Sequence, residues 1–185
     1  EEPVTPETGG VCACCGLKAF SDASGATYIL YRAADEKINR NETLLVASKP
    51  HAPFEVALSH PWKAETCPMS SGTVTATSGQ VIAAWETGSQ VYFATVDRKT
   101  LKSGTPIAAP GPGKRKHPVA IQNGGGETLF VWTEGTAWER GGAVAWQVFD
   151  SNTRPTDQKG KQDGVPVWGL ATAFANSDGS FTIVY

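Results

Sequence analysis

A glycine followed six residues later by an aromatic residue recurs four times in this 185-residue chain, and this repeat constrains the fold more tightly than any other feature. The glycines are Gly25, Gly79, Gly126 and Gly179, and the aromatic residues are Tyr31, Trp85, Trp132 and Tyr185. Successive glycines lie 54, 47 and 53 residues apart. Each copy is an apolar run that follows a stretch of turn-forming residues, as expected for a β-strand. A repeat of this length indicates stacked copies of one small structural unit.

Short segments on both sides of each copy predict further strands. The strand before each copy is predicted at residues 16–20, 72–76, 118–122 and 169–174, and the strand after it at residues 41–48, 90–97 and 142–150. A weaker fourth strand is predicted at residues 54–58 and 105–109, and is less clear around Val165. Because no stretch keeps the helical period convincingly, we predict an all-β chain.

Four antiparallel strands in each repeat of ~50 residues are typical of β-propeller blades. A two-sheet sandwich also has short strands at regular spacing, but four ungapped copies favour the propeller. We therefore predict a β-propeller of four-stranded antiparallel blades, about three and a half of them over residues 11–185, after an N-terminal extension at residues 1–10. A closed propeller has at least ~4 blades, and the last predicted strand would leave an unpaired edge. We expect another segment or another chain to complete it.

Several stretches resemble bacterial sialidase-like propellers of the six-bladed BNR type. They are the cluster of Cys12, Cys14 and Cys15, the pair Tyr31 and Arg32, the run from Cys67 to Met69, residues 91–97, the run from Arg115 to Pro118, and residues 132–150. The resemblance covers roughly residues 11–150 and corresponds to the C-terminal half of such a propeller. It implies that fold and an exported protein.

The catalytic features of true sialidases are not matched in this chain. Sialidases carry Asp-box turns of the form Ser-x-Asp-x-Gly-x-Thr-Trp, whereas the equivalent place here, residues 48–54, has the sequence SKPHAPF. They also bind the substrate carboxylate with an arginine triad and use a Tyr/Glu pair and an Asp in catalysis. No motif assigns those roles to Tyr31, Arg32, Glu86 or Glu134. The resemblance therefore implies the fold rather than the activity.

Charge and hydropathy argue against two classes of partner. A net charge of −2 and a pI of about 5.9 give no general attraction to nucleic acid. The one dense basic run, residues 114–117, is interpreted as a solvated loop, with anion binding as the alternative. No apolar stretch approaches the ~18 residues of a membrane-spanning helix. The chain begins at Glu1 rather than Met, which we interpret as a trimmed terminus, and low charge with clustered cysteines favours a secreted or periplasmic protein.

The propeller prediction brings polar and aromatic residues to one rim. Loops from the second to the third strand share this rim with loops that join one blade to the next, here residues 59–71, 110–117 and about 160–168. The predicted ligand-binding residues are Arg32, Glu86, Arg115, His117, Glu134, Trp138 and Arg140. Aromatic rings beside fixed charges suit a carbohydrate or a protein ligand. The structural alternative is that Trp138 caps a loop and that the glutamates form ion pairs with Arg32 or Arg140.

Catalysis is the less favoured interpretation. Glycosidases need two carboxyl groups ~5–10 Å apart across a cleft, and Glu86 and Glu134 occupy nearly equivalent places in neighbouring blades. Glutamates at strand ends are mostly solvated, however, and the sequence has no Ser-His-Asp, phosphate-loop or HExxH motif. The leading prediction is a non-catalytic module that binds a carbohydrate or a protein and needs no cofactor. A sialidase-class glycoside hydrolase with catalytic residues partly outside this chain is the alternative.

The four cysteines fall into two places. Cys12, Cys14 and Cys15 precede one predicted first strand, and Cys67 precedes the next, so adjacent blades bring the two places to the same rim. Disulfides to Cys67 would join neighbouring blades and stabilise the fold by about 2–4 kcal/mol. The pairing stays open, except that a bridge between Cys14 and Cys15 would be strained.

The alternatives to disulfides are a metal site and reactive thiols. Thiolates with Met69 or His60 nearby suit Cu(I) or Zn(II). Interpreted as CxCC, the first cluster lacks the CxxC spacing of familiar zinc sites and redox motifs, so we favour structural disulfides.

Overall fold

The computed structural model describes residues 10–35, 38–77 and 79–185, and the regular elements in these ranges are all β-strands. In chain order they are β1 (Gly10–Val11), β2 (Leu17–Ser21), β3 (Thr27–Ala34), β4 (Glu42–Ala47), β5 (Glu55–His60), β6 (Thr73–Ala76), β7 (Gln80–Thr87), β8 (Gln90–Asp97), β9 (Ile107–Ala108), β10 (Arg115–Gln122), β11 (Thr128–Glu134), β12 (Gly142–Phe149), β13 (Pro155–Val165), β14 (Thr172–Ala175) and β15 (Phe181–Val184). The prediction of an all-β chain is confirmed. Within these ranges, no helix is long and apolar enough to cross a membrane.

The strands form four antiparallel sheets, which we call blades 1 to 4. Blade 1 has the order β2-β3-β4-β5. The short strand β1 pairs with the C-terminal end of β3, on the same edge as β2. Blade 2 runs from β6 to β9, blade 3 from β10 to β13, and blade 4 is the pair β14-β15. The predicted three and a half units are therefore present. Residues 1–9 of the predicted extension lie outside the described residues, and Gly10 pairs with Ala34.

The hydrophobic core lies between blades rather than within one sheet. Along β7, Val81 and Trp85 join a buried cluster shared with blade 1, whereas Ile82 and Ala84 join a cluster shared with blade 3. Another cluster joins blades 3 and 4. Successive strand residues point to opposite faces, so a strand covered on both faces needs an unbroken apolar run. This is why the second and third strands are the clearest in the sequence.

The repeat residues have two structural roles. The aromatic side chains of the first three copies are buried, whereas Tyr185 of the fourth is 46% exposed. Gly25, Gly126 and Gly179 have φ angles of 84°, 85° and 88°. Glycine is the residue that adopts this left-handed conformation at little cost. In the first and third copies the repeat is therefore a tight turn followed by a buried strand end.

Polar contacts also join neighbouring blades. The hydroxyls of Thr73 and Thr75 in β6 donate to the carbonyl oxygens of Pro118 and Ala120 in β10, at 3.2 and 2.7 Å. These bonds hold the first strands of blades 2 and 3 side by side. The start of β10 is thereby fixed against the segment that precedes β6, and both contribute to the site described below.

β13 corrects one prediction. We expected a loop at residues 160–168 and only a weak strand around Val165, but an 11-residue strand runs from Pro155 to Val165. Most of its residues are exposed and polar, so it carries no apolar alternation for a sequence pattern to detect. Gly160 lets it approach β12, since a Cβ atom there would lie 2.2 Å from Cζ2 of Trp146.

Candidate functional site

A pocket of about 360 Å³ opens at the rim where the β11–β12 loop and the start of β10 meet the segments that precede β2, β6 and β14. Its lining residues are Cys14, Met69, Lys116, His117, Thr136, Ala137, Trp138, Arg140, Trp168, Gly169 and Leu170. A more open depression of about 740 Å³ lies at the opposite end of blades 2 and 3, and its described lining contains no aromatic residue. The rim pocket is the better candidate, because it combines apolar surface with convergent polar groups.

Two exposed tryptophans form one side of the rim pocket. Trp138 is 65% exposed and Trp168 is 60% exposed. Their ring centroids are 4.5 Å apart at an interplanar angle of 84°, an edge-to-face contact. Leu170 in the same lining is 55% exposed, so the two rings belong to a wider apolar surface. The pair offers an apolar platform with polar N–H groups at its edges.

His117 is held rigidly in the pocket wall. Its φ is 52°, and the register of β10 against β11 shifts between Lys116 and Val119. The backbone N–H of Ser71 donates to Nδ1 of His117 at 3.1 Å, and the backbone N–H of His117 donates to Oγ of Ser70 at 3.1 Å. Burial, with a smaller effect of the Lys116 charge, lowers the pKa of His117 to about 4. The imidazole is therefore neutral at neutral pH, and since Nδ1 accepts, Nε2 carries the proton.

The charged groups of the pocket lining are cationic. Nζ of Lys116 donates to the carbonyl oxygen of Pro68 at 2.7 Å, and Nε of Arg140 donates to that of Gly135 at 2.8 Å. Neither bond neutralises the charge. The described lining residues include no carboxylate. Such a pocket attracts an anionic group, and the attraction weakens as salt is added.

Arg115 and Glu134, both predicted ligand-binding residues, are instead paired with each other inside the structure. Nε of Arg115 lies 3.1 Å from Oε1 of Glu134, and the guanidinium stacks 5.0 Å from the Trp132 ring centroid. Glu134 also accepts hydrogen bonds from Trp132 Nε1 at 2.8 Å and from Lys161 at 2.9 Å. Burial alone would raise the pKa of Glu134, but these hydrogen bonds together hold it below its usual value. Neither residue lines the rim pocket.

Arg32 and Glu86 form a second buried ionic cluster, between blades 1 and 2. Nη2 of Arg32 lies 3.1 Å from Oε2 of Glu42 and 3.8 Å from Oε2 of Glu86, and its guanidinium stacks 5.1 Å from the Trp62 ring centroid. Arg32 also donates to the backbone oxygens of Arg40 and Glu86. Burial raises the pKa of Glu42 to about 7 and also raises that of Glu86. This cluster, too, lies away from the pocket lining.

The cysteines meet as free thiols rather than as the predicted disulfides. Sγ of Cys12 lies 3.5 Å from Sγ of Cys67 and 3.6 Å from Sγ of Cys15, whereas a disulfide bond is ~2.05 Å long. The three sulfurs lie within 4.8 Å of one another. Cys14 is exposed and lines the rim pocket instead. Burial raises the pKa of Cys15 to about 12, so this thiol is not an activated nucleophile.

Three of the seven predicted ligand-binding residues, His117, Trp138 and Arg140, are together in the pocket lining, and their role in binding stays a prediction. The set of predicted ligand-binding residues omitted Lys116 and Trp168, although the loop predicted at about residues 160–168 placed Trp168 on the same rim. Lys116 belongs to a basic run that we interpreted as a solvated loop, but Arg115–Gln122 forms β10. Trp168 follows a strand that was too polar to detect. The sequence signal that could have identified Trp168 is a tryptophan in a loop just before a predicted first strand.

Solved structures with a similar arrangement of strands include an arabinanase, an arabinofuranosidase and a galactosidase. An α-L-arabinanase of Penicillium chrysogenum, complexed with arabinobiose, is 9% identical over 91% of this chain and 57% of its own, with a TM-score of 0.57. An α-L-arabinofuranosidase of Fusarium graminearum, complexed with an iminosugar inhibitor, is also 9% identical over 91% and 57%, with a TM-score of 0.53. A GH43 β-1,3-galactosidase is 12% identical over 79% and 56%, with a TM-score of 0.52.

These structures are β-propellers and decide the fold. The chain has the β-propeller fold. At 9 to 12% identity the likeness extends to the fold alone, and the chain spans little more than half the length of each of these proteins. No protein-family model matches the chain, and no curated protein matches it significantly. The finer assignment to the sialidase-like, six-bladed type stays a prediction.

Proposed function

We propose that this chain is a non-catalytic, sialidase-like β-propeller module that binds a saccharide in the rim pocket between blades 3 and 4. The observation that carries the proposal is the edge-to-face pair of Trp138 and Trp168, both more than half exposed, above a cationic pocket lining. Flat aromatic surfaces with polar edges suit a sugar ring, which has apolar faces and hydroxyl edges. The complexes of similar propellers with arabinobiose and an iminosugar add support.

The charge of the pocket narrows the ligand to an acidic saccharide. Lys116 and Arg140 supply two positive charges, and neutral His117 supplies a hydrogen-bond donor. A carboxylate or sulfate on the sugar would complement both cations, and arginine can hold such a group through two parallel hydrogen bonds. A neutral saccharide would leave both charges without a partner from the ligand.

The non-catalytic part of the proposal rests on the carboxylates. Glycoside hydrolysis by the usual mechanisms requires two carboxyl groups flanking the bond to be broken. The described lining of the rim pocket holds none; Glu86 belongs to a buried ionic cluster, and the partly exposed Glu134 is paired with Arg115 and Lys161. We also infer that the protein acts outside the cytoplasm, secreted or periplasmic, where such saccharides occur. Fractionation of cells that express the full gene product would contradict this if the protein stayed cytoplasmic.

Calorimetric titration with matched acidic and neutral saccharides tests the function. We expect trigalacturonate or sialyllactose to bind, and the methyl ester of trigalacturonate and plain lactose to bind at least tenfold more weakly. Trp138→Ala should weaken binding about tenfold, equivalent to ~1.4 kcal/mol. Arg140→Gln should reduce the preference for the acidic form, because Lys116 remains. Val56→Ala and Arg154→Gln, exposed residues outside the pocket, are the matched controls.

Three results would overturn the proposal. The first is the absence of binding to either acidic saccharide together with specific capture of a protein ligand. The second is saccharide binding that is unaffected by both Trp138→Ala and Arg140→Gln, which would place the site elsewhere. The third is turnover of the bound saccharide.

A further inference from the structure

Three cysteine sulfurs converge at the junction of blades 1 and 2. Cys12 and Cys15 lie in the segment between β1 and β2, and Cys67 lies in the connection from β5 to β6. Cys12 and Cys15 are buried, and Cys67 is half-buried. Their sulfurs lie within 4.8 Å of one another, and the pairs Cys12–Cys67 and Cys12–Cys15 are 3.5 and 3.6 Å apart, close enough for ligands to one metal ion.

We propose that Cys12, Cys15 and Cys67 bind one Zn(II) ion through three thiolates, with a solvent molecule as the fourth ligand. The site is independent of the proposed saccharide pocket, because none of the three cysteines lines that pocket. Binding replaces the three thiol protons with the metal, so no oxidant or reductant takes part.

The sequence spacing supports this assignment and corrects our interpretation of the cluster as CxCC. Cys12 and Cys15 are themselves separated by two residues, the C-x2-C spacing of structural zinc sites, and the intervening Cys14 conceals it. A backbone hydrogen bond of 3.2 Å from the N–H of Cys15 to the carbonyl of Cys12 closes the turn between them. The turn directs the outer two sulfurs inward and leaves Cys14 exposed.

The sulfur distances are compatible with one shared zinc ion. A Zn–S bond of ~2.3 Å with tetrahedral angles places sulfurs about 3.8 Å apart, and a trigonal ion such as Cu(I) at the same bond length places them about 4.0 Å apart. The observed separations of 3.5 and 3.6 Å are thiol–thiol contacts slightly below both values, so the C-x2-C spacing rather than the distance favours zinc. They are far from the ~2.05 Å of a disulfide.

One hydrogen bond reaches the cluster from the segment that precedes β6. The backbone N–H of Ser70 donates to the sulfur of Cys15. Hydrogen bonds of this kind orient the ligands of metal sites. The ion would join the start of blade 1 to the entry of blade 2, so its binding would add to folding stability.

Metal analysis of the chain purified from zinc-supplemented cells, without reductant, tests the proposal. We expect one zinc ion per chain by elemental mass spectrometry. After denaturation in the presence of a chelator, we expect four thiols that can be alkylated. Cys12→Ser, Cys15→Ser and Cys67→Ser should each lose the zinc, while Cys14→Ser should retain it. Should any of the three variants fail to fold, Co(II) titration of the unmodified chain gives a second measurement. We expect the intense visible absorption of tetrahedral cobalt with thiolate ligands at one equivalent.

Specific outcomes would overturn the zinc site. One is a disulfide between Cys12 and Cys67, or between any two of the three, in protein that contains no metal. Stoichiometric copper in place of zinc would overturn the assignment of the ion, and loss of zinc in Cys14→Ser would overturn the ligand set. Saccharide binding by the zinc-free protein would leave the proposed function standing, so the two proposals fail separately.

Discussion

The indole of Trp138, in the loop within blade 3, meets the indole of Trp168, in the segment leading into blade 4, edge to face at 4.5 Å. These residues are 30 positions apart in sequence and become neighbours because β12 and β13 return the chain to the same rim. The contact fixes two otherwise exposed rings in one orientation. A ligand that stacks on them therefore meets a surface already arranged for it, which lowers the ordering cost of binding.

Removing Trp168 should weaken saccharide binding with little effect on folding. Trp168→Ala deletes one ring and leaves Trp138 without its support, so we expect the affinity for an acidic trisaccharide to fall about tenfold, or ~1.4 kcal/mol. Because the side chain is 60% exposed, the free energy of unfolding should change by less than about 1 kcal/mol. Calorimetric titration and urea denaturation measure the two quantities. A loss of stability without loss of affinity would mean that the ring only caps its loop.

Removing Arg32 should destabilise the fold strongly. Arg32→Ala leaves the carboxylates of Glu42 and Glu86 buried without their cation. Breaking a buried pair in this way costs about 3–5 kcal/mol. Urea denaturation of the variant measures the loss, and Arg154→Ala, at an exposed turn, is the control with a change near zero. A loss below about 1 kcal/mol would show that solvent reaches the cluster.

His117 should make stability depend on acid pH. Its folded-state pKa of about 4 lies below the ordinary value of 6.5, so between these values the unfolded chain binds a proton that the folded chain does not. Stability from the neutral imidazole is therefore fully present above pH 6.5 and is lost as the pH falls toward 4, with a slope of up to about 1.4 kcal/mol per pH unit. His117→Gln should reduce this dependence, as followed by urea denaturation at several pH values. His51→Gln, at an exposed residue, should leave it unchanged, and equal slopes in all three proteins would contradict the assignment.

Glu134 should affect stability rather than hydrolysis. Glu134→Ala leaves Nε of Arg115 and Nε1 of Trp132 without their acceptor, so we expect a loss of about 1–3 kcal/mol. The unmodified chain should release no product from fluorogenic sialosides or arabinofuranosides. The exposed Glu139→Ala is the matched control. Hydrolysis that disappears in Glu134→Ala or Glu86→Gln but survives in Glu139→Ala would instead support the glycosidase alternative.

The sequence predicted the strands whose burial requires apolar side chains. β6 and β8 lie within the ranges predicted for them. Both belong to blade 2, which packs against blade 1 on one face and blade 3 on the other, so its strands require apolar or small side chains. β13 was missed because it is an exposed strand whose residues are free to be polar. The repeat therefore reported the covered strands and gave no information about the uncovered one.

The site was less predictable, because the sequence at a strand end does not show whether a charged side chain points into the pocket or into the protein interior. Arg32, Arg115 and Glu134 lie near strand ends at the rim, yet each pairs with a residue of a neighbouring strand, and the two arginines become buried. That choice depends on contacts between residues far apart in sequence. In the cysteine cluster, by contrast, the C-x2-C spacing of Cys12 and Cys15 was present in the sequence, but the intervening Cys14 made it hard to recognise.

The core clusters between blades have an evolutionary consequence. Each cluster is made by two adjacent blades, so a change in the cluster between blades 1 and 2 reaches the side chains between blades 3 and 4 only through intervening strands. Stability in such stacks is approximately a sum over neighbouring units. A gene of this kind can lengthen by duplicating about 50 codons at a time, because each copied unit carries its own turn glycine and its own aromatic residue. Lineages can then diversify the rim of one blade while its neighbours continue to hold the fold.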